Sequence, residues 1–539
     1  MLAASMADTS PEITNVGDAL EGLVHQFADP WAFLRELVQN AIDAGSPQID
    51  VRIGHDAGRG AMIIEVADAG EGMTREIIDT RLTRLFSSAK EGDYTKIGKF
   101  GIGFVSVFAI DPDLICVDTG RAGEWWRVVF RRDRTFERIR LVDPVEGTTV
   151  RLYKTASATQ VEEARDKARE TLAYWCKHVK IELRLDDALV SGPMDIDGLC
   201  KVKHEEEGTT LVMAIVAEAE ALRGYYHGGL TLHEERDGSL PFIAYKIDSR
   251  FLEHTLTRDN VIRDENYAKA MTIVQQVARG PLTDQLFAAL ERIAAGEAVA
   301  AEVRDRLYHA AEAPFNDPYA EPRWLAARIL PTLGGAPIAM KTLRERPRGR
   351  LVLGATAMSP VVQAMLADKH YVVACSSHDV IDSLVYTAIA EWSTPITNWC
   401  TALAVDAAEA AAWAPLCAAM AALLKTTGWK VREVTVGRFD YPESAIANRV
   451  AITQAKFGEC TPLAEVGQMA SGWLASGRVL VLSARHPTLL HLRAVAASEP
   501  ELAAYLAIKS FFLHGELRST IDAALASAAA EARWRRTDG

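Results

Sequence analysis

Several patterns that would assign a class at once are missing from this chain of 539 residues. Its seven cysteines, at 116, 176, 200, 375, 400, 417 and 460, include no CxxC and no paired spacing. That argues against a disulfide frame or a zinc site and predicts reduced thiols in a cytoplasmic protein. The 13 histidines form no HExxH pattern. No run of 18 apolar residues occurs, so no membrane span is expected. The opening MLAASMADTSPEITN lacks a basic start and an apolar core, so no signal peptide is expected either. Positive charge is in deficit, 59 Lys and Arg against 72 Asp and Glu, for a net charge of −13. This balance argues against a chain built chiefly for nucleic acid or an anionic membrane. Repeats and long low-complexity linkers are also missing. What remains is an ordinary globular composition, 24% charged and 49% hydrophobic, long enough for three or four domains.

The chemistry concentrates in three stretches. The first is Phe33 to Gly45, FLRELVQNAIDAG. Its period predicts a helix, on which Glu36, Asn40 and Asp43 fall at i, i+4 and i+7 and share a face. A carboxylate there can polarise a water. An amide oxygen can hold a hard cation such as Mg2+, and a second acid can accept from a hydroxyl or an amine. An amphipathic helix with a polar outer face reads the same way in isolation. The second stretch, Asp68-Ala-Gly-Glu-Gly-Met73, follows the apolar strand pattern MIIEVA. An acid after a strand, then two glycines, lets backbone approach a ligand closely. The third, Gly98-Lys-Phe-Gly-Ile-Gly-Phe104, opens the apolar segment Phe104 to Ile110. Glycines before a helix leave N–H groups at the positive end of its dipole, which suits phosphate. The three in this order say more than any one of them.

That order, N-box, DxGxGM, GxxGxG, resembles the GHKL ATPase superfamily. Within it the chain is most similar to the heat-shock protein 90 chaperones of the HtpG type, through LVHQFADPWAFLRELVQNAIDA, SSAKEGDYTKIGKFGIGFVSVF and GTTVRLYK. Mismatch-repair (MutL-like) and MORC-like branches share the first motif, but their third differs from IGKFGIGF. The resemblance covers about residues 15–155 and implies ATP with Mg2+. It implies that Asp68 accepts from the adenine amino group with support from Thr148. Gly72 and Met73 would line the base pocket. Asn40 would hold Mg2+, and Asp43 would lie near the ribose or phosphates. Gly98, Gly101 and Gly103 would donate N–H groups to phosphates, and Ala44, Lys90, Ile102 and Phe104 complete the nucleotide set. Glu36 would deprotonate the attacking water. Arg258, in a phrase similar to the family's LNxSRE loop, would reach the γ-phosphate. Arg35 is a candidate lock on Glu36.

The expected fold is α+β and multidomain. Residues 1–155 are expected to form an N-terminal GHKL (Bergerat) α/β sandwich. Residues 156–345 are expected to form a middle α/β domain with following helices, 346–395 a small α/β subdomain, and 396–539 a mostly helical C-terminal dimerisation domain. Thr74 to Ile97 reads as a lid, shorter than the family's usual one. Between Arg121 and Arg140 lie seven arginines and four aromatics, Trp125, Trp126, Phe130 and Phe136. The solvent face of an antiparallel sheet explains them better than a nucleic-acid surface. His309 to Arg350 reads as irregular, and Trp429–Val436 with Ala447–Thr453 as a strand pair. The apolar spacings in Ala494–Phe512 and Leu517–Arg533 suit terminal helices that pack on the preceding domain or on a partner chain. The C-terminus RWRRTDG lacks the acidic tail of eukaryotic cytosolic members. Taken together the resemblance implies an ATP-dependent, chaperone-like homodimeric clamp on client proteins. The alternative is a GHKL switch acting on nucleic acid or a partner effector in defence or signalling. No paired phosphoacceptor helix supports a histidine kinase.

Overall fold

The computed structural model describes residues 29–83, 102–206, 208–255, 260–316, 322–469, 471, 474–511 and 518–537. Lys90, Gly98, Gly101 and Arg258 lie outside these residues, as does the lid segment from residue 84 onward. The chain divides into two units, Met1–Leu282 and Thr283–Gly539.

In the front unit the first long helix, α1, spans Phe33–Asp43. Leu34, Leu37, Val38 and Ala41 recur at helical spacing and are buried, which gives it one core-facing side. Its end is set by Gly45, whose φ of +70° suits a residue without Cβ. Gly45 N donates to Ile42 O at 2.9 Å and Ser46 N to Ala41 O at 3.0 Å, the paired closure of a Schellman turn.

Eight strands form the front sheet: β1 Gln48–Asp56, β2 Ala61–Asp68, β3 Leu114–Arg121, β4 Glu124–Arg131, β5 Phe136–Arg140, β6 Thr148–Thr155, β7 Glu182–Leu185 and β8 Ala188–Leu189. Their spatial order is β5-β4-β3-β6-β2-β1-β7-β8. One face carries Ile49, Val51, Ile64, Val66, Val150, Leu152, Ile115, Val117, Val128 and Phe130, all buried with α1 in one core. A short helix, α2 Ile102–Val105, and the long α3, Ala158–Trp175, belong to the same layer. Ser157 and Gln160 cap α3 reciprocally, and Val161, Ala164, Ala168 and Leu172 form its buried stripe.

The opposite face carries a ladder of alternating charge. Arg127 binds Asp118 at 2.6 Å and Arg151 binds the same carboxylate at 2.8 Å. Arg151 also binds Glu65 at 2.6 Å, and Glu65 faces Arg52 at 3.7 Å. Of the seven arginines in the 121–140 stretch, Arg121, Arg127, Arg131, Arg132 and Arg138 are ion-paired, with Glu71, Asp118, Glu137, Asp111 and Asp79. Phe130 is buried in the core rather than displayed.

β7 pairs parallel with β1, from Gln48↔Glu182 to Val51↔Leu185. The front sheet therefore extends past the expected boundary at residue 155, and α3 is its crossover helix. The second sheet of this unit has five strands, β9 Leu199–Glu206, β10 Thr209–Ile215, β11 Ala221–His227, β12 Leu230–Asp237 and β13 Ile243–Ser249, in the order β12-β11-β13-β10-β9. A helix, α4 Glu265–Val277, follows. Arg75–Ile77 and the wide turn Ile78–Leu82 are part of the front domain's packing, with Ile78 fully buried. The first part of the expected lid is thus fixed in place by its own apolar residues.

The back unit starts with α5 Thr283–Ala294 and α6 Ala301–Asn316. These helices were expected to close the middle domain, and α6 replaces part of the expected irregular passage. Tyr308, fully buried, donates to Ile329 O at 2.7 Å, and Phe287 stacks on Trp324 at 6.0 Å. A small parallel sheet, β14 Val352–Ala355, β15 Tyr371–Ala374 and β16 Thr394–Pro395, follows with helices α7 Pro360–Ala367 and α8 Val380–Ile389. The expected strand pair is not a pair. Val431–Gly437 and Ala451–Gln454 both flank Arg478–Ser483, which lies between them. Helix α9, Ala407–Leu424, is long and apolar enough by composition to cross a membrane. Its Trp413, Leu416, Met420, Leu423 and Leu424 are buried in the unit's core. The terminal helices are α10 Pro487–Val495, α11 Pro500–Phe511 and α12 Ser519–Thr537.

The charge ladder makes a stability prediction. The Asp118 side chain is only 8% exposed and is shared by two arginines. Asp118→Asn removes the charge between those guanidiniums, which are 41% and 31% exposed, and should cost about 1–2 kcal/mol in urea unfolding. A change below about 0.5 kcal/mol would mean that solvent already screens the ladder.

Candidate functional site

A cleft of about 440 Å³ opens between α1, the β2 end, the Arg75–Leu82 turn and α2. Ten residues expected at the nucleotide line it: Glu36, Asn40, Asp43, Ala44, Asp68, Gly72, Met73, Gly103, Phe104 and Thr148. The backbone of Ile102 starts α2.

The closure of α1 builds one wall. Ser46 Oγ accepts from Ala69 N at 2.9 Å, and Ala44 O accepts from Glu71 N at 3.0 Å. These bonds lash the end of the helix to the turn after β2, so Asp43 and Asp68 reach the same cleft. Asp68 Oδ1 accepts from Gly70 N at 2.8 Å and from Thr148 N at 3.3 Å. Burial pushes the Asp68 carboxyl above the usual range, and the two N–H donors pull it back. Thr148 thus supports Asp68 through its backbone. Its hydroxyl pairs with that of Thr119 at 3.0 Å, and Thr119 Oγ1 also accepts from Met73 N at 2.9 Å. Gly72, at φ +65°, has no room for a side chain, because a Cβ would lie 2.1 Å from Gly120 O. Backbone therefore floors this end of the cleft.

Glu36 is 5% exposed, although it lines the cleft. A Cβ at Gly103 would lie 2.6 Å from Glu36 Oε2, so the glycine lets the α2 backbone close on this carboxylate. Asn40 projects one turn further along and is exposed. Burial raises the Asp43 carboxyl, and the charge of His227 on the second sheet opposes that rise. Arg35, considered as a lock on Glu36, has its guanidinium carbon 4.5 Å from the centroid of the Trp175 ring.

Residues not anticipated also line the cleft. Leu37, Val66, Val117 and Val150 give it an apolar base, while Glu71, Arg81 and Arg121 stand at its rim. Arg121 binds Glu71 at 2.5 Å. The strand valines were visible as inward positions of alternating strands. The rim pair was not, because Glu71 and Arg121 are far apart in sequence. Among the described residues no three His, Cys, Asp or Glu side chains are grouped to hold a metal. Asn40 would hold Mg2+ only together with oxygens from a bound ligand. A larger cleft, about 920 Å³, lies between the β7–β8 segment and β9–β10. Its Lys201, Lys203 and Lys180 are paired with Asp195, Glu205 and Asp248 on its own wall.

The Asp68 environment separates binding from stability. Its raised pKa means that the folded chain takes up that proton more readily than the unfolded one. The buried charge therefore costs stability above the folded pKa, and the cost vanishes as pH falls through it. Asp68→Asn keeps an acceptor for Gly70 and Thr148 and removes the charge. Unliganded melting temperature at neutral pH should hold or rise, while ATP binding by calorimetry is lost. Unchanged ATP affinity would sink the assignment.

Residues 29–161 match the family model described as histidine kinase-, DNA gyrase B-, and HSP90-like ATPase. The chaperone protein HtpG of Pseudoalteromonas translucida is 32% identical over 149 residues, 23% of this chain and 23% of that protein. HtpG of Chromobacterium violaceum is 32% identical over 139 residues, 21% of this chain and 22% of that protein. HtpG of Bordetella pertussis is 28% identical over 213 residues, 34% of this chain and 33% of that protein. The chain thus spans between about a fifth and a third of the length of these curated relatives. The motif order, the cleft they line and these matches together make residues 29–161 a GHKL-type, HSP90-like ATPase domain.

Proposed function

We propose that this chain binds ATP with Mg2+ in the front cleft and hydrolyses it. We propose further that it works in the cytoplasm as a chaperone-like homodimeric clamp on client proteins. The observation that carries the first part is the placement of Glu36 against Gly103 in the cleft that also holds Asn40 and Asp68. Asp68 accepts from the adenine amino group with its free oxygen. Asp43 stands by the ribose or phosphates, and Asn40 holds Mg2+, which neutralises phosphate charge when bound. Glu36 orients the attacking water and takes its proton. General-base catalysis contributes ~10²–10⁴-fold. Arg258 remains the proposed cation for the γ-phosphate.

The clamp rests on the resemblance to HtpG and on the terminal helices. Ala503, Ala504, Ala507 and Ile508 of α11 are buried within the back unit, in one core with α9. Leu502 and Leu506, one turn apart on α11, are 44% and 38% exposed. A second copy of the chain would cover them in a two-fold bundle, the joint that a clamp needs to keep its front domains at high effective concentration. A switch acting on nucleic acid draws no support from the 121–140 arginines, five of which are bound to carboxylates.

Glu36→Ala should bind ATP and turn it over at least ~100-fold more slowly. Normal turnover would remove Glu36 from its role. Stimulation of the ATPase by unfolded protein and not by nucleic acid is expected, and the reverse would favour the switch. Light scattering at micromolar concentration should give a dimer, converted to monomer by Leu502→Glu with Leu506→Glu. A monomeric wild type would refute the joint.

A further inference from the structure

Helix α1 is held from behind as well as from the cleft. Arg35, the neighbour of Glu36, is 3% exposed, with its guanidinium over the ring of Trp175. Trp175 is the last residue of α3, and Tyr174 packs edge-on against it at 4.7 Å. The second sheet fixes this end of α3. Thr231 Oγ1 donates to Tyr174 O at 2.7 Å, and Lys177 binds Glu234 at 2.8 Å. The turn between β11 and β12 is Gly228-Gly229, both at positive φ. A Cβ on Gly229 would lie 2.1 Å from His178 O, so the hairpin presses directly on the chain after α3. Leu230 completes the contact by entering the front domain's core at 5% exposure.

An unbroken series of contacts therefore runs from β12 through Tyr174, Trp175 and Arg35 to Glu36 and Gly103. Arg35 and Glu36 project about 100° apart on the helix. A roll of α1 that unseats Arg35 from Trp175 must swing the Glu36 carboxylate across the cleft. Displacements of about 1 Å in a catalytic group can cost ~100-fold in rate.

We propose that Trp175 is a positioning residue for hydrolysis. As the seat of Arg35 it fixes the roll of α1, and so the approach of Glu36 to the attacking water. Through Thr231 it makes that roll depend on the second sheet. The inference rests on the reading of the cleft as an ATPase site. It adds a residue outside the lining of the cleft.

The test uses the full chain with Trp175→Leu, Trp175→Phe and Thr231→Val, reading ATP affinity by calorimetry and turnover at saturating ATP. Trp175→Leu should lower kcat roughly 10- to 100-fold with affinity within about 3-fold, since the base and metal groups are untouched. Trp175→Phe restores an aromatic seat and should recover turnover to within about 3-fold of wild type. Thr231→Val removes one hydroxyl and no ring. It should lower kcat several-fold at unchanged affinity, and it serves where the Leu variant does not fold. Wild-type kcat in Trp175→Leu would overturn the proposal. So would a parallel loss of affinity and turnover that Phe does not rescue. A wild type that neither binds nor turns over ATP would overturn the ATPase reading itself, a result visible before any variant is made.

Discussion

The front domain depends on how one helix ends. At Gly45 the backbone turns left-handed, and two N–H groups fold back onto Ala41 and Ile42. Had α1 continued by one more turn, Ser46 would have pointed away from β2. As it is, Ser46 and Ala44 take the turn after β2 into hydrogen bonds, and Asp43 and Asp68 line one cleft. A site made of groups from a helix and from a strand end needs such a joint, because a side chain cannot be held more firmly than the backbone beneath it. The Asp-Ala-Gly-Glu-Gly run does the complementary work. At Gly72 the lack of a Cβ allows contact with Gly120 O, so the cleft is floored by backbone where a side chain would fill it.

The helix period and the glycine punctuation were legible in the sequence because they are local. Glu36, Asn40 and Asp43 fall on one face through the 3.6-residue period alone, and the strand ends through alternation and glycines. What was not legible is pairing over distance. Nothing within Glu182–Leu185 announces that it will lie parallel to β1, more than 130 residues earlier in the chain. Likewise Arg478–Ser483 reads as an apolar strand, but its place between Val431–Gly437 and Ala451–Gln454 is a tertiary fact. The Arg121–Glu71 pair at the rim belongs to the same class.

The arginines of the 121–140 stretch show how register decides what a charge can do. Arg127 stands opposite Asp118 on β3, and Arg151 on β6 opposite Glu65 on β2. Each guanidinium thus finds a carboxylate one strand away, at the spacing where cross-strand pairs interact. A one-residue slip would turn the same residues into the core and the valines out. The ladder and the apolar face therefore specify the same register, and the charge so used is not available as a surface field.

The same logic bears on where the ATPase domain ends. The family match stops at residue 161, and a boundary there would cut through α3. The core itself extends further. Leu183 and Leu185 of β7 belong to it, and so does Leu230 from the second sheet's hairpin. Burying a leucine contributes about 1.5–3 kcal/mol, a large fraction of the 5–15 kcal/mol typical of whole domains. Lifting the hairpin away would expose Leu230, strip Tyr174 O of its donor and part Lys177 from Glu234 at once. Those losses fall together, so the cleft and the second sheet share one stability.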